Sequence, residues 1–507
     1  MNAPQNGTKT SRPSEAPVNK SQESTVLDRY EPVIGLEVHC QLKTKTKLFC
    51  GCSTSFGAMP NHNTCPICLG HPGVLPVLNR EVVNFAIRFA LAVEANIHET
   101  SVFARKQYFY PDLPKGYQIT QFDLPYCTGG KMMLASGKAV RLMRAHIEED
   151  AGKNVHGDES SYVDLNRAGV PLIEIVSEAD IRNPEDAADY LKRLRSLVRS
   201  LDICDGNLEE GSFRCDANIS IRPRGQEKFG TRCEIKNLNS FRNIERAIKY
   251  EILRQADLLD HGEKVLQQTM LFDAASGKTQ AMRSKEESHD YRYFPEPDLL
   301  PLRINAVRVE EQRKVLPELP EAMASRFQEQ HGLSPYDAAV LTSDKDLANF
   351  YEAVVKRVAG AVTEKIVANW VTSEYLREAN NRSWDFINPP ITSNHLGELI
   401  ELIGKGVISG RIAKTLFEEM AEKGPGNGPK ALVQEQGLVQ VSDTSEIRNV
   451  INKVLDDNPG QLTEYLGGRD KLFGFFVGQT MKVSGGKMNP QLVNDVLKEL
   501  LDARRKV

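Results

Sequence analysis

The sequence predicts an α+β protein, in which a mixed-sheet domain is followed by helices up to the end of the chain. Three observations predict this class. Segments of alternating apolar and polar residues, typical of strands, fill much of the first 300 residues. Two cysteine pairs interrupt this region, and from about residue 307 the apolar residues recur at helical spacing. A chain of 507 residues is long enough for about three domains of ordinary size.

Composition and charge limit the classes of protein to which this chain can belong. The net charge of -4 argues against a protein that coats nucleic acid along its whole surface, although it leaves room for a local basic patch. No run approaches the ~18 apolar residues of a membrane span. Nine cysteines, an odd number, without an apolar secretory segment predict a reducing, cytoplasmic location. Residues 1–28 offer almost nothing to bury and are expected to be a disordered tail.

The domain organisation follows from these patterns. We expect a sheet domain over residues 29–300, a helical linker domain over 307–405 and a helical tail domain over 409–507. From Arg469 onward there are eight Lys or Arg against four acids, among them Lys471, Lys482 and Lys487. Positive charge of this kind suits binding to nucleic-acid phosphates, but a solvated helical face explains it equally well.

The cysteine pairs predict a metal site. Cys50 and Cys52 form a C-x-C pair, Cys65 and Cys68 form a C-x2-C pair, and twelve residues separate them. This is the spacing of a zinc ribbon, where four thiolates complete a tetrahedral site. Unrelated buried thiols are the alternative. Because four protein ligands leave no open position, we expect structural Zn²⁺ with no direct part in chemistry.

Two acidic runs lie on segments that are typical of strands. HIEED contains Glu149, and LIEIVSE places Glu174 on the face opposite Ile173 and Ile175. A carboxylate fixed on a sheet is a hard oxygen ligand for Mg²⁺ or an acid or base with a tuned pKa. A solvated strand face is the alternative for either run alone.

Further polar residues lie on neighbouring strands. Glu37 and His39 are two residues apart and therefore share one face. The pairs Arg214 with Asp216 and Glu234 with Lys236 lie among β-forming residues in the same way.

A segment rich in aromatic residues and prolines, RKQYFYPDLPKGYQITQ, places Lys106 and Tyr108 on a predicted loop. A loop that lines a pocket and a structural Tyr-Pro corner explain this segment equally well. We find no GxxxxGK[ST] phosphate loop and no GxGxxG between a strand and a helix. If the domain binds a nucleotide, metal-bound carboxylates and lysine or arginine side chains must therefore hold it.

A resemblance to a known family covers the chain from about Tyr30 to its end. The chain resembles the B subunit of the bacterial and organellar aspartyl/glutamyl-tRNA amidotransferase. Eight motifs carry the resemblance in the same order: GLEVHCQL, CGCSTSFG, NTCPICLGHPGVLPVLN, RKQYFYPDLPKGYQI, HIEEDAGK, VDLNRAGVPLIEIVSE, EGSFRCDANIS and TRCEIKNLNSFR. The segment LFGFFVGQTMKVSGGKMNPQLVNDVL resembles the tRNA-binding tail of that family.

The resemblance implies a kinase-like cradle domain, a helical domain and a tRNA-binding tail with Lys471, Lys482 and Lys487. It implies use of ATP and Mg²⁺ to phosphorylate the side-chain carboxylate of mischarged Glu-tRNA(Gln) or Asp-tRNA(Asn), after which ammonia displaces phosphate. The implied partners are the tRNA, a glutamine-hydrolysing amidase and a small third protein, which together with this chain form a heterotrimer. The implied Mg²⁺ ligands are His39, Glu149 and Glu174. The other expected catalytic residues are Glu37, Lys106, Glu210, Asp216 and Glu234, and the expected ATP contacts are Lys106, Tyr108, Arg214 and Lys236.

Two other interpretations remain. A non-catalytic zinc-ribbon module that binds RNA explains the cysteine pairs and the basic tail, but not the carboxylates on strands. The archaeal tRNA(Gln)-specific relative carries an extra synthetase-like domain between cradle and helices. No such insertion separates the predicted sheet domain from the helices near residue 300, which disfavours it.

Overall fold

The computed structural model describes residues 20–157, 159–282, 291–426, 428–439, 443–485 and 488–505. The chain divides into two compact units, and the boundary along the sequence lies between Leu319 and Pro320. The first unit is mixed α+β and the second is helical, so the predicted fold class is confirmed at this level. Within the described residues, no helix combines the length and the apolar character needed to cross a membrane.

The strands all lie in the first unit. They are β1 (Tyr30–Gln41), β2 (Asn96–Ile97), β3 (Thr100–Ser101), β4 (Ala104–Gln107), β5 (Tyr117–Thr120), β6 (Cys127–Thr128), β7 (Lys131–Met133), β8 (Ala139–Glu149), β9 (Lys153–His156), β10 (Ser161–Asp164), β11 (Pro171–Ser177), β12 (Phe213–Pro223), β13 (Cys233–Leu238), β14 (Thr269–Asp273), β15 (Lys278–Ala281), β16 (Phe294–Pro295) and β17 (Leu302–Arg303).

Ten of these strands form one mixed sheet. Its order is β15-β14-β13-β12-β1-β11-β8-β6-β2, and β7 pairs with β8. Neighbouring strands are antiparallel except β13 and β14, which are parallel. The long strand β1 lies at the centre, between β11 and β12, so the residues of its polar face have neighbours on adjacent strands.

The helices are α1 (Lys20–Arg29), α2 (Arg80–Ala92), α3 (Pro184–Ser200), α4 (Phe241–Asp260), α5 (Ala306–Lys314), α6 (Pro320–His331), α7 (Pro335–Leu341), α8 (Lys345–Val358), α9 (Glu364–Asn369), α10 (Leu376–Arg382), α11 (Ser393–Gly404), α12 (Gly410–Lys423), α13 (Pro429–Glu435), α14 (Thr444–Asp456), α15 (Pro459–Leu466), α16 (Phe473–Val483) and α17 (Pro490–Arg505). A π-helix (Trp370–Tyr375) joins α9 to α10, and a 3₁₀-helix (Asp470–Leu472) precedes α16.

One face of the large sheet is the core of the first unit. Its alternate apolar residues, such as Val38 and Cys40 of β1, are buried together with residues of α2, α3 and α4. Each of these three helices begins after a polar N-cap residue. Asn79, Asn183 and Ser240 each accept a hydrogen bond from a backbone N–H of the first turn. Since the helices cover one face of the sheet, the residues between the apolar positions line the other face.

The second unit contains two apolar clusters. The first joins α6 to α13, from Phe327 to Val433, and the second joins α14 to α17, from Ile447 to Leu501. We expected the boundary between the helical domains at residues 405–409. The structure instead continues the first cluster through α12, whose Leu416 and Phe417 are buried in it. The short loop before α12 is itself part of this core, since its Ile408 is buried, and the apolar face of α12 completes the core.

Two other boundaries also differ from expectation. Helix α5 falls within the expected helical linker, but it lies in the first unit, where Arg88 of α2 donates to Gln312 over 2.8 Å. Residues 20–28, expected in a disordered tail, belong to α1, and Arg29 pairs with Asp260 of α4. Residues 1–19 lie outside the described part of the chain.

Candidate functional site

The polar face of the sheet gathers charged residues from five adjacent strands, β8, β11, β1, β12 and β13. The strand register produces this arrangement. In one row across the sheet, His146 lies opposite Glu174, Glu174 opposite His39, and His39 opposite Arg214. In a second row, Glu37 lies opposite Asp216.

Five side chains on this face meet as a carboxylate–histidine group: Glu37, His39, His146, Glu148 and Glu174. The His39 Nε2 atom lies 3.4 Å from a Glu174 oxygen, 3.5 Å from a Glu148 oxygen and 3.8 Å from a Glu37 oxygen. The His146 Nε2 atom lies 3.3 Å from Glu174 and 3.8 Å from Glu148. Glu174 therefore lies between the two imidazoles and is the centre of the group.

The charges in the group perturb one another. Burial together with the neighbouring carboxylate of Glu174 raises the pKa of Glu37 to about 7. Burial acts to lower the pKa of His39, but Glu174, Glu148 and Glu37 outweigh it and raise this pKa to about 9. Burial likewise acts to lower the pKa of His146, but Glu174 and Glu148 outweigh it and raise this pKa to about 9. Burial opposes ionisation of Glu174, but the two histidines hold its pKa well below the usual range.

The group contains two overlapping sets of possible metal ligands. Glu37, His39 and Glu174 form one set, and His146, Glu148 and Glu174 form the other. In each set the ligand atoms lie within 4.8 Å of one another. The carboxylate oxygens suit a divalent cation, and Glu174 could contribute to either position, whereas an imidazole nitrogen could join them only after losing its proton.

Glu149, which we predicted as a ligand, does not lie in this group. Its carboxylate accepts hydrogen bonds from the Lys115 ammonium and, over 2.9 Å, from the Ile119 backbone N–H. It points to the opposite face of β8, where it lines a cavity of about 200 Å³ near Cys68. The alternation along β8 explains this difference. Ile147 is in the core, so its neighbours in the strand lie on the polar face and Glu149 does not.

His146 and Glu148 are therefore the residues that our sequence interpretation missed. The signal was present in the motif HIEED, because a buried isoleucine between a histidine and a glutamate assigns both to the other face. Thr120 fixes Glu148 further by donating a hydrogen bond to its carboxylate over 3.3 Å.

Cationic side chains surround the group on the same face. Lys236 lies 3.4 Å from both Asp216 and Glu234, and burial, which acts to lower its pKa, is outweighed by these two acids. Arg214 is held by Asp150 at 3.1 Å. The predicted residues Asp216, Glu234, Lys236 and Arg214 thus line the polar face next to Glu37 and His39.

Lys106 lies near the carboxylate–histidine group, on β4 and not on a loop as we expected. Its ammonium lies 4.7 Å from the centre of the Tyr291 ring. Burial acts to lower the pKa of Lys106, but Glu148, with smaller contributions from Tyr293, Tyr291 and Glu174, raises it. Tyr108 follows on the same side, where its ring contacts Tyr291 edge to face at 6.1 Å. Burial followed by the charge of Glu148 raises the pKa of its hydroxyl.

Glu210 lies apart from these residues. It is exposed in the turn before β12, where its backbone N–H donates to Asn207 over 3.2 Å. It lines a surface cavity with Arg195 and Arg199. Among the described contacts, none joins its carboxylate to the carboxylate–histidine group.

The four cysteines of the predicted zinc site come together in the structure. Their sulfur atoms lie within 4.8 Å of one another, and the residues carrying them range from buried to half-buried. Hydrogen bonding to Cys50, backbone hydrogen bonding and the charge of Lys47 lower the pKa of Cys68 to about 4, although burial opposes this. The arrangement can hold a tetrahedral ion such as Zn²⁺.

The basic residues of the tail lie on exposed surface where the structure describes them. Lys471 is in the 3₁₀-helix before α16, and Lys482 is in the last turn of α16. Lys487 lies outside the described residues. The assignment of these side chains to tRNA binding remains a prediction.

These features are typical of a protein whose β-sheet carries a candidate site for a divalent metal and an anionic substrate. The sequence contains no glycine-rich phosphate-loop motif. Residues 32–310 match the model of the GatB/GatE catalytic domain, and residues 349–501 match the model of the GatB domain. The chain belongs to the GatB family. The family resemblance inferred from the sequence motifs is therefore confirmed.

Curated relatives agree with this assignment over nearly the whole chain. A protein of Thioalkalivibrio sulfidiphilus is 54% identical over 478 residues, which cover 93% of this chain and 99% of the relative. A protein of Geobacter sp. strain M21 is 55% identical, with 92% and 98% covered, and one of Persephonella marina is 52% identical, with 93% and 99% covered. All three are named as the B subunit of aspartyl/glutamyl-tRNA(Asn/Gln) amidotransferase.

Proposed function

We propose that this chain is the ATP-dependent subunit of a tRNA amidotransferase, which activates the side-chain carboxylate of Glu-tRNA(Gln), Asp-tRNA(Asn) or both. The observation that carries the proposal is the carboxylate–histidine group on the polar face of the sheet, with Lys106 and Lys236 on either side. This combination provides ligands for a divalent cation and positive charges for a polyphosphate in one place. The names and coverage of the curated relatives support the substrate class.

The residues present fit Mg²⁺. The two ligand sets offer hard oxygen donors from Glu37, Glu148 and Glu174, and β-strands hold all three carboxylates in place. When bound, Mg²⁺ would neutralise charge on the ATP phosphates and on the attacking carboxylate. His39 and His146 both lie within ion-pair distance of the same oxygen of Glu174, which restricts the orientation of its carboxylate.

In the proposed reaction, an oxygen of the substrate carboxylate attacks the γ-phosphorus of ATP, and ADP leaves. Ammonia then adds to the carbon of the acyl phosphate, inorganic phosphate leaves with the C–O bond electrons, and the nitrogen loses one proton to the departing phosphate or to water. The protein contributes charge and orientation more than covalent chemistry. Lys106 and Lys236 are the cations of this face that we assign to the phosphates, with Arg214 and Tyr108 next to them.

The proposal is tested by supplying the purified assembly with mischarged tRNA, ATP, Mg²⁺ and free ammonia. We expect amide formation that requires ATP and Mg²⁺ and releases one ADP for each amide. Free ammonia makes the assay independent of the glutaminase. Amide formation without ATP, or tRNA binding without any amide formation, would contradict the proposal. The second outcome is the one expected of a non-catalytic zinc-ribbon RNA-binding module.

The partners follow from the same proposal. An amidase would release ammonia from glutamine, a small third protein would complete the heterotrimer, and mischarged tRNA would bind through the tail. The cytoplasm, where tRNA is charged, is the compartment we assign. Which of the two tRNAs is used in the cell can be read from the mischarged species that accumulates after depletion of the protein.

The four-cysteine group is proposed as a structural zinc site. Its four sulfur ligands fit the tetrahedral preference of Zn²⁺ and leave no position for a substrate. When bound, Zn²⁺ would join the two cysteine pairs and stabilise the segment between them.

Replacing Cys65 and Cys68 together with serine should reduce the zinc content from about one ion per chain to almost none. The physical reason is that serine hydroxyls stay protonated and bind Zn²⁺ weakly, so only two thiolates remain. Metal analysis of the purified protein is the measurement. Cys127→Ser, a change at a buried cysteine of β6, is the matched control and should leave the zinc content unchanged. Equal zinc in the double variant and the wild type would remove this assignment.

A further inference from the structure

Lys47 is a buried lysine next to the four-cysteine group. Its side chain is fully buried, and its ammonium donates to the Asn63 carbonyl over 2.7 Å and to the Leu165 carbonyl over 3.4 Å. The third contact is the Cys68 sulfur at 3.7 Å. Among the described residues, no carboxylate forms an ion pair with Lys47.

The backbone of Lys47 is tied to the other cysteine pair. Its N–H donates to the Cys52 carbonyl over 3.0 Å, so the residue contacts both pairs. Gly169, with a φ of +87°, packs over the side chain. A Cβ atom at Gly169 would lie 3.5 Å from Lys47 Cδ and 3.4 Å from Cys68 Cβ, so a larger residue would crowd both. The ammonium is therefore held in one position beside the sulfur.

An unpaired ammonium in this position is unfavourable unless a negative charge lies nearby, because burial removes its hydration. Four thiolates around one divalent cation supply that charge, since together they carry two net negative charges. Two carbonyl oxygens satisfy the hydrogen bonds of the ammonium but do not neutralise it. Cys68 is the contact through which a metal–thiolate centre would do so.

We propose that Lys47 is a positioning residue of the four-cysteine site, whose charge offsets part of the negative charge of the metal-bound thiolates and strengthens metal binding. The inference rests on the proposed zinc site. It assigns to Lys47 a role in the affinity for a soft divalent cation and no role in amide formation.

The test compares Lys47→Gln and Lys47→Met with Lys45→Gln, a change at an exposed lysine two positions away. Zinc affinity is measured on the purified full-length assembly by competition with a chromophoric chelator. We expect both Lys47 variants to bind Zn²⁺ roughly 10- to 100-fold more weakly, the range typical for loss of a residue that supports metal ligands. Lys45→Gln should retain the wild-type affinity.

The Lys47→Gln variant tests the charge separately from the hydrogen bonds, because the glutamine amide is neutral but can still donate to the two carbonyls. Wild-type zinc affinity in Lys47→Gln would overturn the proposal. A purely structural role is recognised by melting temperatures taken with zinc and with chelator. Loss of a purely structural role would lower the two melting temperatures equally. Loss of a charge role would lower the melting temperature with zinc and leave the melting temperature with chelator unchanged or higher. An equal loss in both would also overturn the proposal.

Two more results complete the test. If Lys47→Met does not fold, Lys47→Gln and the thiolate-to-metal charge-transfer bands of Co²⁺-substituted protein give the answer. These bands should shift in Lys47→Gln and stay in place in Lys45→Gln, and an unshifted spectrum would count against the proposal. Wild-type protein without zinc would remove the metal site and this inference together. A zinc-containing wild type with an unaffected Lys47→Gln variant would remove the inference alone.

Discussion

Replacing Glu174 or Glu148 with glutamine should lower the rate of amide formation on the order of 10²- to 10³-fold. Glutamine keeps the size of the side chain but loses the charge, and a hard divalent cation binds a neutral amide oxygen poorly. Glu174 belongs to both possible ligand sets, so its replacement should have the larger effect. The measurement is amidation of mischarged tRNA with ATP and free ammonia, together with Mn²⁺ titration as a direct reading of metal affinity.

Two control variants sharpen this prediction. Glu31 lies on the same face of β1 but pairs with Arg222 at 2.6 Å, so Glu31→Gln should retain both activity and Mn²⁺ affinity. Glu149→Gln should retain Mn²⁺ affinity, because that carboxylate lies on the opposite face of β8 beside Lys115. Loss of Mn²⁺ binding in Glu149→Gln, with normal binding in Glu148→Gln, would show that Glu149 is the ligand and that the assignment to Glu148 is wrong.

The sequence predicts much of this site because strands have a period of two. Glu37 with His39, Arg214 with Asp216 and Glu234 with Lys236 each share a face, as their spacing requires. The helix starts at Asn79, Asn183 and Ser240 were also predictable, since a polar side chain that caps a helix acts within a few residues.

Strand order and register were not predictable in the same way. Nothing local to β1 says that β11 and β12 flank it, so the meeting of His39, Glu174 and His146 depends on contacts between residues far apart in the chain. The prediction for Glu149 was wrong for a different reason. The alternation of side chains along the HIEED strand already assigns Glu148, and not Glu149, to the face that carries His146. The burial of Lys47 depends on a fold around the cysteines that spacing alone does not specify.

The first helical cluster extends beyond the boundary expected between the two helical domains. The loop between α11 and α12 is short, and the burial of Ile408, Leu416 and Phe417 shows that α12 completes the preceding core. Any truncation meant to remove the tail should therefore leave α12 and α13 in place. A chain that ends at Leu438 meets this requirement, because the last apolar cluster begins at Ile447.

Ending the chain at Leu438 should weaken tRNA binding roughly 30- to 100-fold while leaving the carboxylate–histidine group intact. The removed helices have their own apolar cluster, which includes Ile451, Phe476 and Leu497, so their loss does not open the cluster that precedes them. They carry Lys471 and Lys482 on exposed surface. Three or four phosphate contacts, each contributing about 0.5 to 1 kcal/mol, would give a loss of this size.

Binding of labelled tRNA at several salt concentrations is the measurement. The truncated chain should show a smaller dependence of affinity on salt, because fewer counterions are released from the RNA. Lys471→Gln with Lys482→Gln in the full chain should reproduce part of both effects. Lys423→Gln, at an exposed lysine of α12 that pairs with Glu419 at 3.0 Å, should reproduce neither. If the truncated chain binds tRNA as tightly as the full chain at physiological salt, the tail is not the tRNA contact and its basic residues form a solvated helical face.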